Sequence, residues 1–372
     1  MIHALVVFHV PEGKVILNID KRLKCVIGLE FVAARDIESA LPFESSITHE
    51  PKTGYVHVSC QVESYLWLKE FIRNARIYSI YSATLIASVS NLNVLSTELL
   101  EDITRRAPWH AILPDAPSHA SFRATFKKGR LKHAIPSQTL AGHMGSIFSS
   151  FYPDWKVKMT DYDYEIIGLW LPDHQFLLGL TLSIQDQAQR HRIYTGRTSL
   201  NPCIAYCLVL LADPKPGQIV FDMCCGTATI PIEGASRFKD VFWLGGEVKM
   251  ETLTELALGN VKYCGLKNVD LMLSDGRKLC YRDGSIDMIV SDWPWGLREN
   301  SYKQIQGLYP KFMKQMWRTL KPEGKAYIVT QGHKLMKRVL DYDWCQKLWK
   351  IEHILPFGIG GYDVNLYILS KI

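Results

Sequence analysis

The sequence is short of the features that mark several large protein classes. No run approaches the roughly 18 to 20 apolar residues that a membrane-spanning helix needs. The opening stretch Met1-Ile2-His3-Ala4-Leu5-Val6-Val7-Phe8 lacks the charged n-region of a secretory signal and reads as a first strand. Cysteine is present nine times, an odd count, with no repeated Cys-x-x-Cys spacing. Cys203 and Cys207 stand four apart on an expected helix and Cys224-Cys225 are adjacent, so no second half of a zinc site lies at suitable spacing and no metal is expected. Such cysteines read as buried or free thiols in a reducing compartment. The expectation is a soluble protein of the cytoplasm or nucleus with no membrane partner. Two phosphate-binding signatures are also missing. Without Gly-x-x-x-x-Gly-Lys-Ser/Thr there is no P-loop, and without Gly-x-Gly-x-x-Gly the chain has no NAD fingerprint.

What is there suits a globular protein. The 372 residues, 47% hydrophobic and 22% charged, are enough for two or three domains that each bury a core. A net charge of +6 and a pI near 8.7 permit a nucleic-acid partner without demonstrating one. The distribution says more. Between residues 119 and 160, Arg123, Lys127, Lys128, Arg130, Lys132, Lys156 and Lys158 face one acid, Asp154, with Phe122, Phe126 and Trp155 interleaved. That bias points to a phosphate-facing patch. The plainer reading is a solvated basic face.

Residues 1–93 mix expected strands (Ala4–Val10, Lys14–Ile19, Gly54–Cys60, Ile77–Ile86) with amphipathic helices at Glu30–Leu41 and Ser64–Asn74, a small α+β domain of split-βαβ type. Residues 94–186 form a second α+β unit: helices Thr97–Arg106 and Ser137–Phe148, strand Ser121–Phe126, and strands Tyr164–Leu171 and Phe176–Leu182 joined at Pro172-Asp173. Gln185–Arg197 is polar and basic and reads as a linker running toward bound nucleic acid. From Asn201 the texture changes. Asn201-Pro202 has the form of an N-cap with proline at the first helical position. Strands and helices then alternate with short loops, among them helices Tyr309–Leu320 and Lys334–Leu340, and two final strands close an edge. This is the pattern of a doubly wound parallel sheet.

In such a sheet ligands bind at the carboxyl ends of the strands, and here each of four strand ends bears an acid. Asp222-Met223-Cys224-Cys225-Gly226-Thr227-Ala228-Thr229 puts small residues between strand and helix, where backbone and N-terminal amides can approach a ligand. Gly245-Gly246-Glu247 offers an acid for both hydroxyls of a ribose. Ser274-Asp275-Gly276 offers one for an exocyclic amine. The run Ile286–Val290 leads to Asp292-Trp293-Pro294-Trp295-Gly296, an acid beside flat apolar faces, in which a carboxylate or carbonyl can accept from an amine and an indole can stack on a base. One such acid is more often a cap or a surface charge. Four in order indicate a nucleoside cofactor.

The order of these acids resembles class I S-adenosylmethionine-dependent methyltransferases, and Asp292-Trp293-Pro294-Trp295 resembles their motif for methylating exocyclic amines. Ile230-Pro231-Ile232-Glu233-Gly234-Ala235 and the Asp292 motif look more closely like the THUMP-domain tRNA guanine-N2 methyltransferases. Gly28-Leu29-Glu30-Phe31-Val32-Ala33, Phe122-Arg123-Ala124-Thr125, Trp155-Lys156-Val157-Lys158-Met159-Thr160 and Gly360-Gly361-Tyr362 extend the likeness along nearly the whole chain. The resemblance implies an α/β chain in three parts: a ferredoxin-like domain (1–93), a THUMP RNA-binding domain (94–186) and a class I, Rossmann-like methyltransferase sheet (187–372). It implies S-adenosyl-L-methionine as cofactor, with Asp222, Cys225 and Gly226 on its methionine side, Glu247 on the ribose and Asp275 on the adenine amine. Asp292 and the Pro294 carbonyl would orient a guanine N2 amine and Trp295 would stack on the base. The product would be N2-methylguanosine in the acceptor stem of tRNA, and a small zinc-binding activator protein would join the sheet. Met223 stands where that family usually has proline and Ala228 where it has glycine. The alternatives are a small-nuclear-RNA guanine-N2 or an adenine-N6 methyltransferase, or a non-catalytic THUMP RNA-binding protein with a weakened cofactor loop.

Overall fold

A computed structural model describes residues 2–9, 28–49, 53–62, 64–128, 131, 133–171, 173–182, 190–196, 199–296 and 302–372. The expected strand Lys14–Ile19, Pro172, and the basic residues Arg130 and Lys132 lie outside them. Two compact units emerge, one holding Met1–Val10 and Ala33–Asp186, the other holding Gln187–Ile372.

The first unit contains β1 (Ile2–His9), α1 (Glu30–Ala40), which begins just before it, β2 (Ser45–His49), β3 (Tyr55–Val62), α2 (Tyr65–Asn74) and β4 (Ser82–Asn91). There follow α3 (Thr97–Arg106), α4 (Trp109–Ile112), β5 (Ser121–Lys127), α5 (Ser137–Phe151), β6 (Lys156–Val157), β7 (Tyr164–Trp170) and β8 (Gln175–Thr181). Local chemistry explains the helix starts. Ser64 and Ser96 sit in extended backbone and accept from the amides of Trp67 and Leu99, each at 3.2 Å, which caps α2 and α3. On α2 the buried face is Tyr65, Leu68 and Ile72, the spacing of an amphipathic helix.

All the strands of this unit form one sheet in the order β2-β3-β1-β4-β8-β7-β5-β6. The seam is β4, which runs antiparallel to β1 on one side and to β8 on the other. Residues 1–93 and 94–186 therefore share a sheet. The strand expected at Ile77–Ile86 starts later, at Ser82, where its pairing with β1 begins at His9↔Ser82, and runs on to Asn91 opposite Gln175 of β8. Its core is heavily aromatic: Trp109, Phe122, Phe148 and Phe176 are fully buried, and Phe148 touches Trp109, Phe122, Tyr152 and Trp155.

The second unit runs α6 (Pro202–Ala212), β9 (Ile219–Asp222), α7 (Thr229–Arg237), β10 (Phe242–Glu247), a π-helical stretch Thr252–Ala257 continuing into α8 (Leu258–Cys264), β11 (Val269–Leu273) and β12 (Ile286–Asp292). It closes with α9 (Tyr302–Thr319), β13 (Leu320–Thr330), α10 (His333–Leu340), α11 (Asp343–Gln346), β14 (Trp349–Ile359) and β15 (Tyr362–Lys371). Its sheet has the order β11-β10-β9-β12-β13-β15-β14. The first five are parallel and the last two antiparallel, as expected for a doubly wound sheet with a closing hairpin. Asn201 caps α6 by accepting from the Cys203 amide at 2.9 Å, with Pro202 at the first helical position. Gly234 lets α7 lie flat on β10, because a Cβ there would come within 2.2 Å of the Trp243 ring. Helix α9 begins seven residues before the expected Tyr309. A Tyr-Pro pair suggests a helix start, yet here Pro310 lies inside the helix.

Candidate active site

The strand order turns back between β9 and β12, and their carboxyl ends carry Asp222 and Asp292 side by side. Asp222 is almost fully buried. Its Oδ1 accepts from the Ser291 hydroxyl at 2.7 Å and from the Cys224 amide at 3.2 Å. Burial raises its carboxyl to about 7, against those two hydrogen bonds and with the help of repulsion from Asp292 and Glu247. Asp292 keeps one face open to solvent. Its Oδ1 accepts from the indole N–H of Trp295 at 2.9 Å, and burial raises it too to about 7 despite that bond.

Past Asp222 the chain makes a tight loop. Gly226 has φ +53°, the left-handed region that glycine enters freely. Two residues on, Ala228 occupies the same region at φ 65°, ψ 27° and opens α7. The Cys225 amide donates to the Gly246 carbonyl at 2.9 Å, joining the loop to β10. Glu247, at the end of β10, is anchored by backbone: Gly226 N donates to Oε2 at 3.1 Å and Lys249 N to Oε1 at 2.9 Å. Each oxygen keeps a lone pair for a further donor. Asp275 is arranged differently. Arg277 grips its carboxylate through Nε and Nη2, at 2.6 Å for the shortest contact, and these bonds hold Asp275 below the usual carboxylate range.

The turn after β12 separates the two tryptophans. Trp293 is 1% exposed and packs edge-on against Tyr309 and Phe312, with ring centroids 4.9 and 5.2 Å away. It belongs to the core. Trp295 is half-exposed, and its ring meets Tyr362 edge-on at 5.9 Å. The Pro294 carbonyl is already engaged: the Tyr309 hydroxyl donates to it at 2.8 Å and lies 2.5 Å from Thr330 Oγ1. The structure thus gathers Asp222, Cys225, Gly226, Glu247, Asp292, Pro294 and Trp295 along one sheet edge, with Asp275 at the end of the next strand.

Residues 189–350 match the protein family described as RMKL-like, methyltransferase domain. The match lies within the second unit. Among relatives, the chain is 30% identical over 269 residues to tRNA (guanine(6)-N(2))-methyltransferase THUMP3 of Homo sapiens. That match covers 68% of this chain and 52% of the human protein, so the chain spans about half the length of the mammalian relatives it matches. A tRNA (guanine(6)-N2)-methyltransferase of Thermus thermophilus is 28% identical over 280 residues, 73% of this chain and 78% of that protein. In three dimensions the fold matches that of TrmN from Thermus thermophilus, with a TM-score of 0.76, 21% identity and full coverage of both chains.

Around this site the structure adds residues that the sequence did not flag. Ser291 orients Asp222, and Tyr309 with Thr330 holds the Pro294 carbonyl. Asn260, fully buried on α8, uses all four of its hydrogen bonds: Oδ1 accepts from the amides of Ile193 and Tyr194, and Nδ2 donates to the carbonyls of Tyr194 and Thr227. It stitches residues 193–194 to the loop below Ala228. Arg192 does the same, donating to the Leu200 carbonyl at 2.8 Å and to Thr229 Oγ1 at 3.2 Å. Arg190 and His191 meet the buried Glu233 at 2.8 and 3.1 Å. The expected linker toward nucleic acid is therefore, over residues 190–196, part of the second unit, with Arg190 paired to Glu233 and Arg192 buried against neutral oxygens.

The basic patch of the first unit is also reduced. Arg123 is paired with the buried Glu165 at 2.6 Å and lies over the Tyr162 ring at 4.4 Å, so its charge is spent internally. Phe122, Phe126 and Trp155 are core residues. Lys128 donates to the carbonyls of His133 and Ile135 and remains half-exposed. Lys127, Lys156 and Lys158 are exposed. Among the described residues no group of acids, histidines and cysteines could hold a metal ion, and no helix is long and apolar enough to cross a membrane.

Proposed function

We propose that the protein transfers a methyl group from S-adenosyl-L-methionine to the N2 amine of a guanosine in tRNA, in the acceptor stem. The observation that carries the reading is the Asp292–Pro294 turn, where a carboxylate and a carbonyl fixed by Tyr309 stand beside a half-exposed indole. The relatives' names support the substrate class. The chemistry of the acids supports the cofactor: Asp292 and Glu247 raise the proton affinity of Asp222, so three acids crowd the strand ends. A site of that kind favours a bound positive charge, which a sulfonium carries. When bound, S-adenosyl-L-methionine supplies an electrophilic methyl group.

The residues of the chain do the rest. Glu247, its carboxylate fixed by two backbone amides, takes the ribose hydroxyls. Asp275, oriented by Arg277, takes the adenine amine. Asp222, Cys225 and Gly226 line the methionine side. A guanine N2 is a weak nucleophile because its lone pair is delocalised into the ring. Hydrogen bonds from that amine to Asp292 Oδ2 and to the second lone pair of the Pro294 carbonyl favour a pyramidal nitrogen and offset its developing charge. Alignment at near-attack distance supplies much of the rate. A base within a stem must leave its stack to be reached, and Trp295 receives it.

We assign residues 1–93 and 94–186 to a ferredoxin-like part and a THUMP part sharing one sheet, with Lys127, Lys128, Arg130, Lys132, Lys156 and Lys158 contacting RNA. A small zinc-binding activator protein would pair with the edge strand β11, where Met272 and Leu273 are exposed, as are Val248 and Met250 just past Glu247, the register partner of Leu273. An RNA substrate goes with a cytoplasmic or nuclear location. The test is Asp292→Ala in the full chain, assayed with labelled cofactor on total tRNA. Transfer should fall by about a thousandfold or more, the scale of removing a transition-state hydrogen bond, while tRNA binding is retained. Full activity in this variant sinks the assignment.

A further inference from the structure

Helix α10 leaves the sheet at the same edge as the site and is tied to it. The Gly332 amide donates to Thr330 Oγ1 at 3.0 Å, that oxygen meets the Tyr309 hydroxyl at 2.5 Å, and the hydroxyl donates to the Pro294 carbonyl at 2.8 Å. Three successive hydrogen bonds therefore join the N-cap of α10 to the Asp292–Pro294 turn. The helix buries Leu335, Met336, Val339 and Leu340 and leaves Lys334, Lys337 and Arg338 exposed.

These three cations lie at i, i+3 and i+4, one face of the helix, and the helix contains no acid. Among the described residues none of the three forms an ion pair, although Asp341 follows as the C-cap. Like charges at this spacing weaken a helix. Lys337 and Arg338 have a compensating structural reason, since they stand in the last turn, where the helix dipole favours cations. Lys334 has none. It stands in the first turn, where the dipole is positive and favours an anion. A bound anion is attracted by all three cations and, at the first turn, by the helix dipole, which offsets the repulsion.

We propose that Lys334, Lys337 and Arg338 form a phosphodiester-binding face that holds the RNA backbone next to the nucleotide entering the Asp292 turn. The proposal rests on the reading of the site as an RNA methyltransferase, and it gives the catalytic unit its own grip on the substrate. Backbone contacts of this type fix register and carry no sequence preference. They position the strand so that one base can be presented.

The experiment uses the full chain with Lys334→Gln, Lys337→Gln and Arg338→Gln combined, and Lys334→Arg as a charge-retaining control. A tRNA transcript is titrated at a series of salt concentrations, and cofactor binding is measured in parallel. The expected result is a Kd for tRNA about tenfold or more weaker, and a salt dependence shallower by about one unit of log–log slope for each phosphate no longer neutralised. Cofactor affinity is unchanged and Lys334→Arg behaves as wild type. A triple variant with wild-type tRNA affinity and salt slope overturns the proposal. Wild-type chain that binds tRNA in this way but transfers no methyl group overturns the enzymatic reading and leaves the binding face standing.

Discussion

Ala228 shows how one residue can break a local rule without loss. Its left-handed backbone disfavours a Cβ by about 1–2 kcal/mol. Its methyl group is fully buried in a cluster with Ile232, Ala257 and Val261, a gain of about 0.8 kcal/mol. Alanine also gives up less backbone entropy than glycine, by about 0.5–1 kcal/mol. The terms nearly cancel, so alanine at this position leaves the loop intact. Tyr309 is the opposite case, a residue with nothing in its sequence context to mark it. It is fully buried, and its hydroxyl fixes the carbonyl assigned to the substrate amine. Tyr309→Phe should lower kcat about 10- to 100-fold, the scale of a small misplacement of the reacting groups, with cofactor affinity unchanged. A kcat within about twofold of wild type, too small for such a misplacement, would remove Tyr309 from the positioning of the site.

At the scale of elements, the cofactor loop depends on a segment that precedes the sheet. Asn260 and Arg192 tie residues 192–194 and Leu200 to the Thr227–Thr229 stretch, so the loop is held from outside its own strand and helix. Asn260→Ala removes the partner of the carbonyls of Tyr194 and Thr227 and of the amides of Ile193 and Tyr194. At about 1–3 kcal/mol for each group left unpaired and dry, and less where water reaches residues 193 and 194, the loss should be about 2–4 kcal/mol. Urea denaturation gives the stability and calorimetry the cofactor affinity, and both should fall together. A variant losing stability but binding cofactor normally would separate the clamp from the loop. Element assignment from sequence did well for the helices that the structure shows capped by Ser64, Ser96 and Asn201, of which Asn201 alone was legible as a cap. It failed at α9, where Pro310 imitates a helix start, and at β2, whose residues Ser45–His49 carry little hydrophobic signal.

For the whole molecule, the paired acids set a pH dependence of stability. Asp222 and Asp292 both have carboxyls raised to about 7 in the folded chain, from about 3.8 when unfolded. Between those values the folded state binds more protons than the unfolded one, so stability falls as pH rises. The contribution is fully present below about pH 4 and is lost through about pH 7. The prediction is that the Tm of the protein without cofactor declines between about pH 5 and pH 8 by more than the Tm of Asp292→Asn, in which one of the two groups no longer titrates. Equal declines would show that Asp292 ionises normally. Saturating cofactor should flatten the profile, because a bound cation favours the ionised acids.

The sequence by itself determined the alternating architecture of the last 186 residues and the four strand-end acids, because strand-end position and apolar periodicity are local properties of the chain. It also determined which side chains could be caps, acids or stacking faces. Only the tertiary structure decided which of them are available. Trp293 and Trp295 are two residues apart in one motif, yet one is core and the other faces the site, because packing against α9 takes the first. Arg123, Arg190 and Arg192 read as exposed cations, and each is consumed by a partner about 40 residues distant: Glu165, Glu233 and Thr229. Long-range partners of this kind leave no periodic trace in the sequence. The same holds for the seam between β4 and β8, and for Tyr309, whose role exists only because α9 brings it to Pro294 and Thr330 at once.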